Sequence, residues 1–285
     1  MDELRLGDGP LEVVLLPQAG ARLHRLQAFG HDLLRTPTDP AEHLRVPFFW
    51  GAYVMAPWCN RFPAGPTTVG AQRLDLPANF ADGTAIHGQV YASEWTVEPD
   101  GVALHRSGGG DSWPWQYEVT LIPVVSGPLL RLELAVRNDS SEPMPAGVGL
   151  HPWWRRPLEL SVDAPAVYPS NDGSPAVPSA VEGPLDLRDM AEPAPGLDAT
   201  WTQLGRGGVR LSWPHLGVHA VLRLSSASSH VVVATPAERD ATAVEVQSHA
   251  PDGLRRLRNG EPGAPAVLQP GERLRLELEL EVMRA

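Results

Sequence analysis

The chain has 285 residues and a formal charge of −11, from 23 basic and 34 acidic side chains. Every basic residue is arginine, which excludes a Schiff-base lysine and a phosphate-loop lysine, and the acidic balance argues against nucleic-acid binding and an anionic membrane surface. Thirty prolines and 27 glycines leave little room for long helices, and the single cysteine, Cys59, forbids an internal disulfide or a thiolate-rich metal centre.

The first ten residues show neither the basic nor the apolar region of a secretory leader. No stretch approaches the ~18 uninterrupted apolar residues of a membrane span. A reducing, cytoplasmic location is the expectation. Alternation of apolar and polar residues begins at Leu11–Leu16 and recurs at 117–122 and 130–136. It returns at Val218–Leu224, at His230–Ala234 and most regularly at 274–282. A period of two puts leucine and valine on one face and charge on the other, as in an antiparallel sheet with one solvated side. Turn signals separate these runs: the glycine run at 107–111, Asn138-Asp139-Ser140-Ser141, and Pro270-Gly271. The proline- and alanine-rich stretch 161–195 reads either as a linker or as a surface excursion with short strands. The patterns on its two sides are alike. The expectation is one all-β domain over 1–285, a large antiparallel sandwich.

Nine tryptophans are many for this length, and they cluster as Trp50 and Trp58, Trp113 and Trp115, Trp153 and Trp154. Indoles serve equally as core filler and as platforms for the C–H face of a sugar. Five polar positions stand out against their neighbours. Arg61, preceded by Asn60, lies in an apolar, turn-rich segment, and its planar fork suits paired hydroxyl or carboxylate acceptors. His87 lies in Ala85-Ile86-His87-Gly88-Gln89, and His151 in Gly149-Leu150-His151-Pro152-Trp153-Trp154. Imidazole can give or take a proton near neutrality. Asp198 sits between a turn and Trp201. Glu245 is flanked by two valines on an apparent strand; in a pocket, desolvation would raise its pKa toward that of a useful base. Neither His-x-His nor His-Glu-x-x-His occurs, so no metal is expected.

Taken in order along nearly the whole chain, these segments resemble the aldose 1-epimerase, or galactose mutarotase-like, family. The resemblance is carried by Leu16-Pro17-Gln18-Ala19-Gly20-Ala21-Arg22-Leu23, by Asn60-Arg61-Phe62 with Gly65, and by Ile86-His87-Gly88 with Trp95. It continues through His151-Pro152-Trp153-Trp154, Leu197-Asp198 with Trp201, Glu245-Val246-Gln247 with Pro251-Asp252, and Gln269-Pro270-Gly271. It implies a β supersandwich and interconversion of sugar anomers, with no cofactor. Carried over by motif, Glu245 is the general base, His151 the general acid, and His87 a third catalytic group. Arg61, Asp198, Asn60, Trp153 and Gln247 are the implied sugar-binding residues. The implied partner is a small sugar, an aldohexose either free or phosphorylated, bound by a monomer or homodimer. The chain departs from the family pattern at Gln89, at Trp153-Trp154 followed by Arg155-Arg156, and at Val246. The extra arginines raise the phosphorylated alternative.

Overall fold

The alternating runs assemble into two large antiparallel sheets. The computed structural model describes residues 1–100, 103–170 and 177–284. One sheet has the order Leu4–Asp8, Leu11–Leu16, Arg22–Ala28, Ala52–Met55, Gly149–Arg155, Ala241–Gln247, His230–Ala234, Asp198–Thr202, Ala166–Tyr168, Ser179–Ala180. The short strand His31–Asp32 pairs beside Arg22–Ala28. The other sheet runs Thr96–Val97, Leu104–Gly110, Trp113–Ser126, Leu129–Asn138, Arg273–Arg284, Val218–Leu224, Val209–Trp213, Glu159–Val162. Helix is confined to short pieces, of which Gly253–Asn259 is the longest among the described residues. No helix among them is long and apolar enough to cross a membrane.

The second sheet behaves as its sequence predicts. Leu130, Leu132, Leu134, Leu276, Leu278 and Leu280 point into the space between the sheets and are buried. Their neighbours form a charged outer ladder, in which Arg131 bonds Glu279 and Arg223 bonds Glu281. The first sheet is different, because both of its faces are covered. Along Gly149–Arg155, Leu150 and Trp154 enter the inter-sheet core. His151 and Trp153 point the other way, and both are buried too. The same division separates Val244 and Val246 from Glu245 and Gln247, and Ala52 and Val54 from Tyr53 and Met55. The opposite face of this sheet carries the site.

One expectation needs adjustment. Residues 107–110 do not turn; they end the strand Leu104–Gly110, with a register shift between Gly108 and Gly110. Gly108 lacks a side chain because the ring of Tyr117 occupies that space: a Cβ there would lie 2.2 Å from it. The 161–195 stretch contributes short strands, as its excursion reading has it: Ala166–Tyr168 and, at the edge of the large sheet, Ser179–Ala180. Its residues 171–176 lie outside the described residues.

Most of the stability comes from the leucine layer, since an exposed ion pair is worth only ~0–1 kcal/mol. Leu134→Ala should therefore lower unfolding free energy by about 2–5 kcal/mol. Arg131→Ala, on the outer ladder, should cost less than about 1 kcal/mol. Urea titration of both variants checks the contrast.

Candidate active site

Sheet register brings the chemical groups together. Gly149 faces Gln247 and Trp153 faces Ala243, so the same antiparallel register sets His151 opposite Glu245. On the other side, His151 faces Tyr53. Leu23 faces Ala52, which sets Arg22 opposite Tyr53. One row across four neighbouring strands thus reads Arg22, Tyr53, His151, Glu245. The side chains follow the row: the Arg22 guanidinium lies 4.7 Å from the Tyr53 ring centre, and the Tyr53 and His151 rings stack at 4.5 Å. His151 Nε2 reaches Glu245 Oε1 at 3.1 Å. Gln247, two residues along the Glu245 strand, donates from Nε2 to Glu245 Oε2 at 2.7 Å.

His87 and Arg61 arrive on a small two-stranded ribbon, Arg61–Phe62 against Ala85–Ile86. Asn60 and His87 both have left-handed backbone, with φ of 55° and 60°. They clasp each other: His87 N–H donates to the Asn60 carbonyl, and Asn60 N–H donates to His87 Nδ1 at 3.2 Å. The following Gly88 also has positive φ, and a Cβ there would lie 1.9 Å from the Ala56 carbonyl oxygen. Only glycine permits this approach, and the approach aims the His87 ring edge-on at His151, with ring centres 5.1 Å apart.

These groups line one cavity of about 290 Å³, near the lower end of the roughly 300–1,000 Å³ typical of ligand pockets. Phe48, Phe49, Phe80 and Trp153 form apolar walls, while Asn60, Arg61, Asp198, Glu238 and the two histidines supply polar atoms. The Trp153 indole N–H donates to the Phe48 carbonyl at 2.7 Å, which fixes the indole plane. Arg61 donates to Asp82 at 2.7 Å and stands 4.0 Å from Asp198.

Burial sets the proton balance. Loss of solvation raises the Glu245 carboxyl from 4.5 to about 8; Gln247 and Arg61 oppose this rise and Asp198 adds to it. Burial pushes His151 down from 6.5 to about 3. Burial, then the neighbouring His151 and Arg61, hold His87 well below its ordinary value. Both halves of the Glu245–His151 pair are therefore driven toward their uncharged forms, and the pair holds one proton, resting on Glu245.

The same three side chains place donor atoms within 4.8 Å of one another, a spacing that invites comparison with a metal centre. The chemistry of His87 opposes that use. Its Nδ1 is occupied by the Asn60 N–H, so the neutral ring carries its hydrogen on Nε2 and offers a donor to the pocket. A donor suits a ligand oxygen rather than a cation.

Of the residues singled out from sequence, Glu245, His151, His87, Arg61, Asp198, Asn60 and Trp153 all line this cavity. Gln247 is fully buried under Glu245 and orients that carboxyl, away from the cavity wall. Trp58, Trp113 and Trp115 pack on one another as core, and Trp154 packs on Trp213. Arg155 and Arg156 donate to the carbonyls of Leu34 and Arg239 and do not line the cavity. Arg22, Tyr53 and the three phenylalanines were not singled out. Arg22 lies within the motif at 16–23 but has no role there by resemblance; strand register reveals its place beside Tyr53, and the phenylalanines reach the cavity from loops.

The two-sheet architecture and the carboxylate–imidazole pair on its open face define a galactose mutarotase-like supersandwich. Residues 2–281 match the aldose 1-epimerase family, and the chain belongs to that family. It is 25% identical over 300 residues to the uncharacterized protein YphB of Escherichia coli (strain K12), covering 97% of each. The fold is similar to that of a galactose mutarotase-like protein from Clostridium acetobutylicum (TM-score 0.86, 18% identity, 99% of this chain and 95% of that one). It is similar also to galactose 1-epimerase from Lactobacillus acidophilus NCFM (TM-score 0.77, 16% identity, 98% and 93%).

The raised Glu245 has a consequence for stability. Unfolded, this carboxyl titrates at 4.5; folded, at about 8, so the folded state binds the extra proton between these values. Its burial costs nothing below pH 4.5 and destabilises the fold increasingly as pH rises to 8. His151 has the opposite sign, with a penalty absent above pH 6.5 that grows as pH falls toward 3. Glu245→Gln removes the first penalty. Its Tm advantage over wild type should grow between about pH 5 and about pH 8.5 in calorimetry. An advantage that does not change over that range would mean that Glu245 is already ionised at pH 5.

Proposed function

We propose that the protein is an aldose 1-epimerase, interconverting the α and β anomers of an unphosphorylated aldose by acid–base ring opening and closure. The observation that carries this reading is the 3.1 Å contact between Glu245 and His151 at the floor of a sugar-sized cavity. Ring opening removes a proton from the C1 hydroxyl and adds one to the ring oxygen. Both oxygens are bonded to C1, so the groups that serve them must be close neighbours. A pair that shares one proton contains one acid and one base at every moment.

With Glu245 as base and His151 as acid, Glu245 takes the hydroxyl proton while His151 protonates the ring oxygen. The C1–O5 bond breaks and the C1 carbonyl forms. Rotation about C1–C2 presents the other carbonyl face. On closure Glu245 returns its proton to the carbonyl oxygen, and His151 recovers its own as O5 attacks C1. The opening step starts with the proton on His151, so sugar binding must move it across the 3.1 Å contact from Glu245. Gln247, by its hydrogen bond to the carboxylate, and then Arg61, by its charge, favour this transfer, and Asp198 opposes it. His87 donates from Nε2 to a sugar oxygen. The apolar walls take the C–H face of the ring and exclude water. The buried Tyr53 hydroxyl, which has no partner among the described residues, is available to a sugar hydroxyl.

The charge of the lining supports an uncharged substrate. One guanidinium, Arg61, faces the carboxyls of Asp198, Glu238 and Glu245, and its closest partner is Asp82. A phosphoryl group would meet net negative charge there. The arginines that raised the phosphorylated alternative bond to backbone carbonyls elsewhere.

Polarimetry of fresh α-glucose or α-galactose tests the reading. Glu245→Gln, folded by circular dichroism, should lose about 10²–10⁴-fold in rate, the usual worth of one acid–base group. Full activity in that variant removes Glu245 from the mechanism. Sugar binding by the wild-type protein without acceleration, across free and phosphorylated hexoses and pentoses, would make it a sugar-binding protein on the same fold.

A further inference from the structure

Arg22 is completely buried, yet the described residues place no carboxylate within ion-pair distance of it. Its Nη1 and Nη2 donate to the carbonyls of Trp50 and Tyr91, each at 2.9 Å, and its Nε has no partner among the described residues. Two neutral carbonyls do not compensate for a desolvated guanidinium, and burial has lowered its pKa to about 10. A neutral side chain could fill this space and bond one carbonyl at lower cost. The charge itself therefore calls for a reason.

The reason lies along the strand row. Arg22 sits on the strand to one side of Tyr53, and His151 on the strand to the other. The guanidinium packs on the Tyr53 ring, and the His151 imidazole stacks on the same ring. We propose that Arg22 is a positioning residue for the acid–base pair: acting across the Tyr53 ring, its positive charge opposes protonation of His151 and keeps the Glu245–His151 pair to a single proton. A doubly protonated pair has no base and cannot open the sugar ring. Arg22 thus extends the working range of the site toward acid pH.

The other charged and titratable groups around His151 do not duplicate this effect. Glu245, at 3.1 Å, favours the imidazolium when it is ionised. His87 meets the ring edge-on and is itself held neutral. Arg61 and Asp198 lie across the cavity and oppose one another at Glu245. Tyr53 is held neutral by its burial, and Tyr91 and His43 adjoin Arg22 rather than the pair. The two ring contacts put the guanidinium roughly 9 Å from the imidazole; a unit charge at that range, in an effective dielectric of about 20, moves a pKa by about one pH unit.

The proposal rests on the acid–base reading for its kinetic arm only. Histidine ¹⁵N NMR of the whole protein reads the His151 protonation state directly, with no substrate present. Arg22→Met should raise the His151 midpoint by about one pH unit. Arg22→Lys, which keeps the charge, should leave it near the wild-type value. The acid limb of the mutarotation pH profile should move with the midpoint in Arg22→Met and stay in place in Arg22→Lys. If Arg22→Met does not fold, Arg22→Gln, which can still donate to a carbonyl, takes its place. An unchanged His151 midpoint in a folded neutral variant overturns the proposal. So does loss of the fold in both neutral variants, which would make Arg22 a structural residue. A shifted midpoint without mutarotation in any variant would uphold the electrostatic role and overturn the epimerase reading instead.

Discussion

Everything chemical in this molecule depends on one register across four strands of the large sheet. Arg22, Tyr53, His151 and Glu245 share a row, and the strand spacing of about 4.8 Å is also a good distance for stacking rings and for bringing a carboxylate to an imidazole. A slip of one residue in any of the three pairings would turn a side chain of the row into the inter-sheet core. The register is held on the far face, where Leu150, Trp154, Val244 and Val246 pack against the leucines of the second sheet. The hydrophobic layer thus does more than stabilise the fold. It fixes the geometry of the pair that lies behind it.

Burial gives that pair its character. In water a glutamate and a histidine near pH 7 would be an anion beside a largely neutral ring. Here desolvation dominates, lifting the carboxyl and depressing the imidazole. The same desolvation strengthens each contact the pair makes, and leaves only Gln247 to hold the carboxyl from below. A site of this kind needs neither a charged nucleophile nor a redox centre. It needs one proton and two places to keep it, with a neighbouring charge that sets which place is preferred. Arg61 from the cavity side and Arg22 from behind Tyr53 bear on that preference in different ways: one stabilises the Glu245 carboxylate, the other discourages the His151 imidazolium.

The legibility of the sequence follows from solvent exposure. Strands of the second sheet could be read from alternation because one of their faces is wet; 130–136 and 274–282 are of this kind. Ala52–Met55 and Gly149–Arg155 are buried on nearly every residue, so a period of two leaves no trace in their polarity. Glu245 and His151 were visible through motif resemblance, but their opposition was not, since the two strands are almost a hundred residues apart and nothing local sets their register. Tyr53 lies in no motif, and Arg22, within the opening motif at 16–23, has no role there by resemblance. Asn60 and His87 were legible as residue types, whereas the left-handed backbone that aims the imidazole appears only in the fold.

The departures from the family pattern make sense on the same division of faces. Val246 and Trp154 point into the inter-sheet core, where the requirement is volume. Gln89 turns away from the pocket, donating to Ser112 and accepting from Tyr117, and so ties the His87 turn to the second sheet. Arg155 and Arg156 bond to backbone carbonyls. Of the departures only Trp153 lines the cavity; the side chains of Val246, Trp154, Gln89, Arg155 and Arg156 do not. In a strand buried on both sides, adjacent positions answer to different demands: one to packing, the next to chemistry. A difference beside a catalytic position therefore says little about the substrate until its face is known. Among the described residues the cavity lining bears one guanidinium, Arg61, beside the carboxyls of Asp198, Glu238 and Glu245, and it is that balance, rather than the neighbouring arginines, that bears on what the pocket can take.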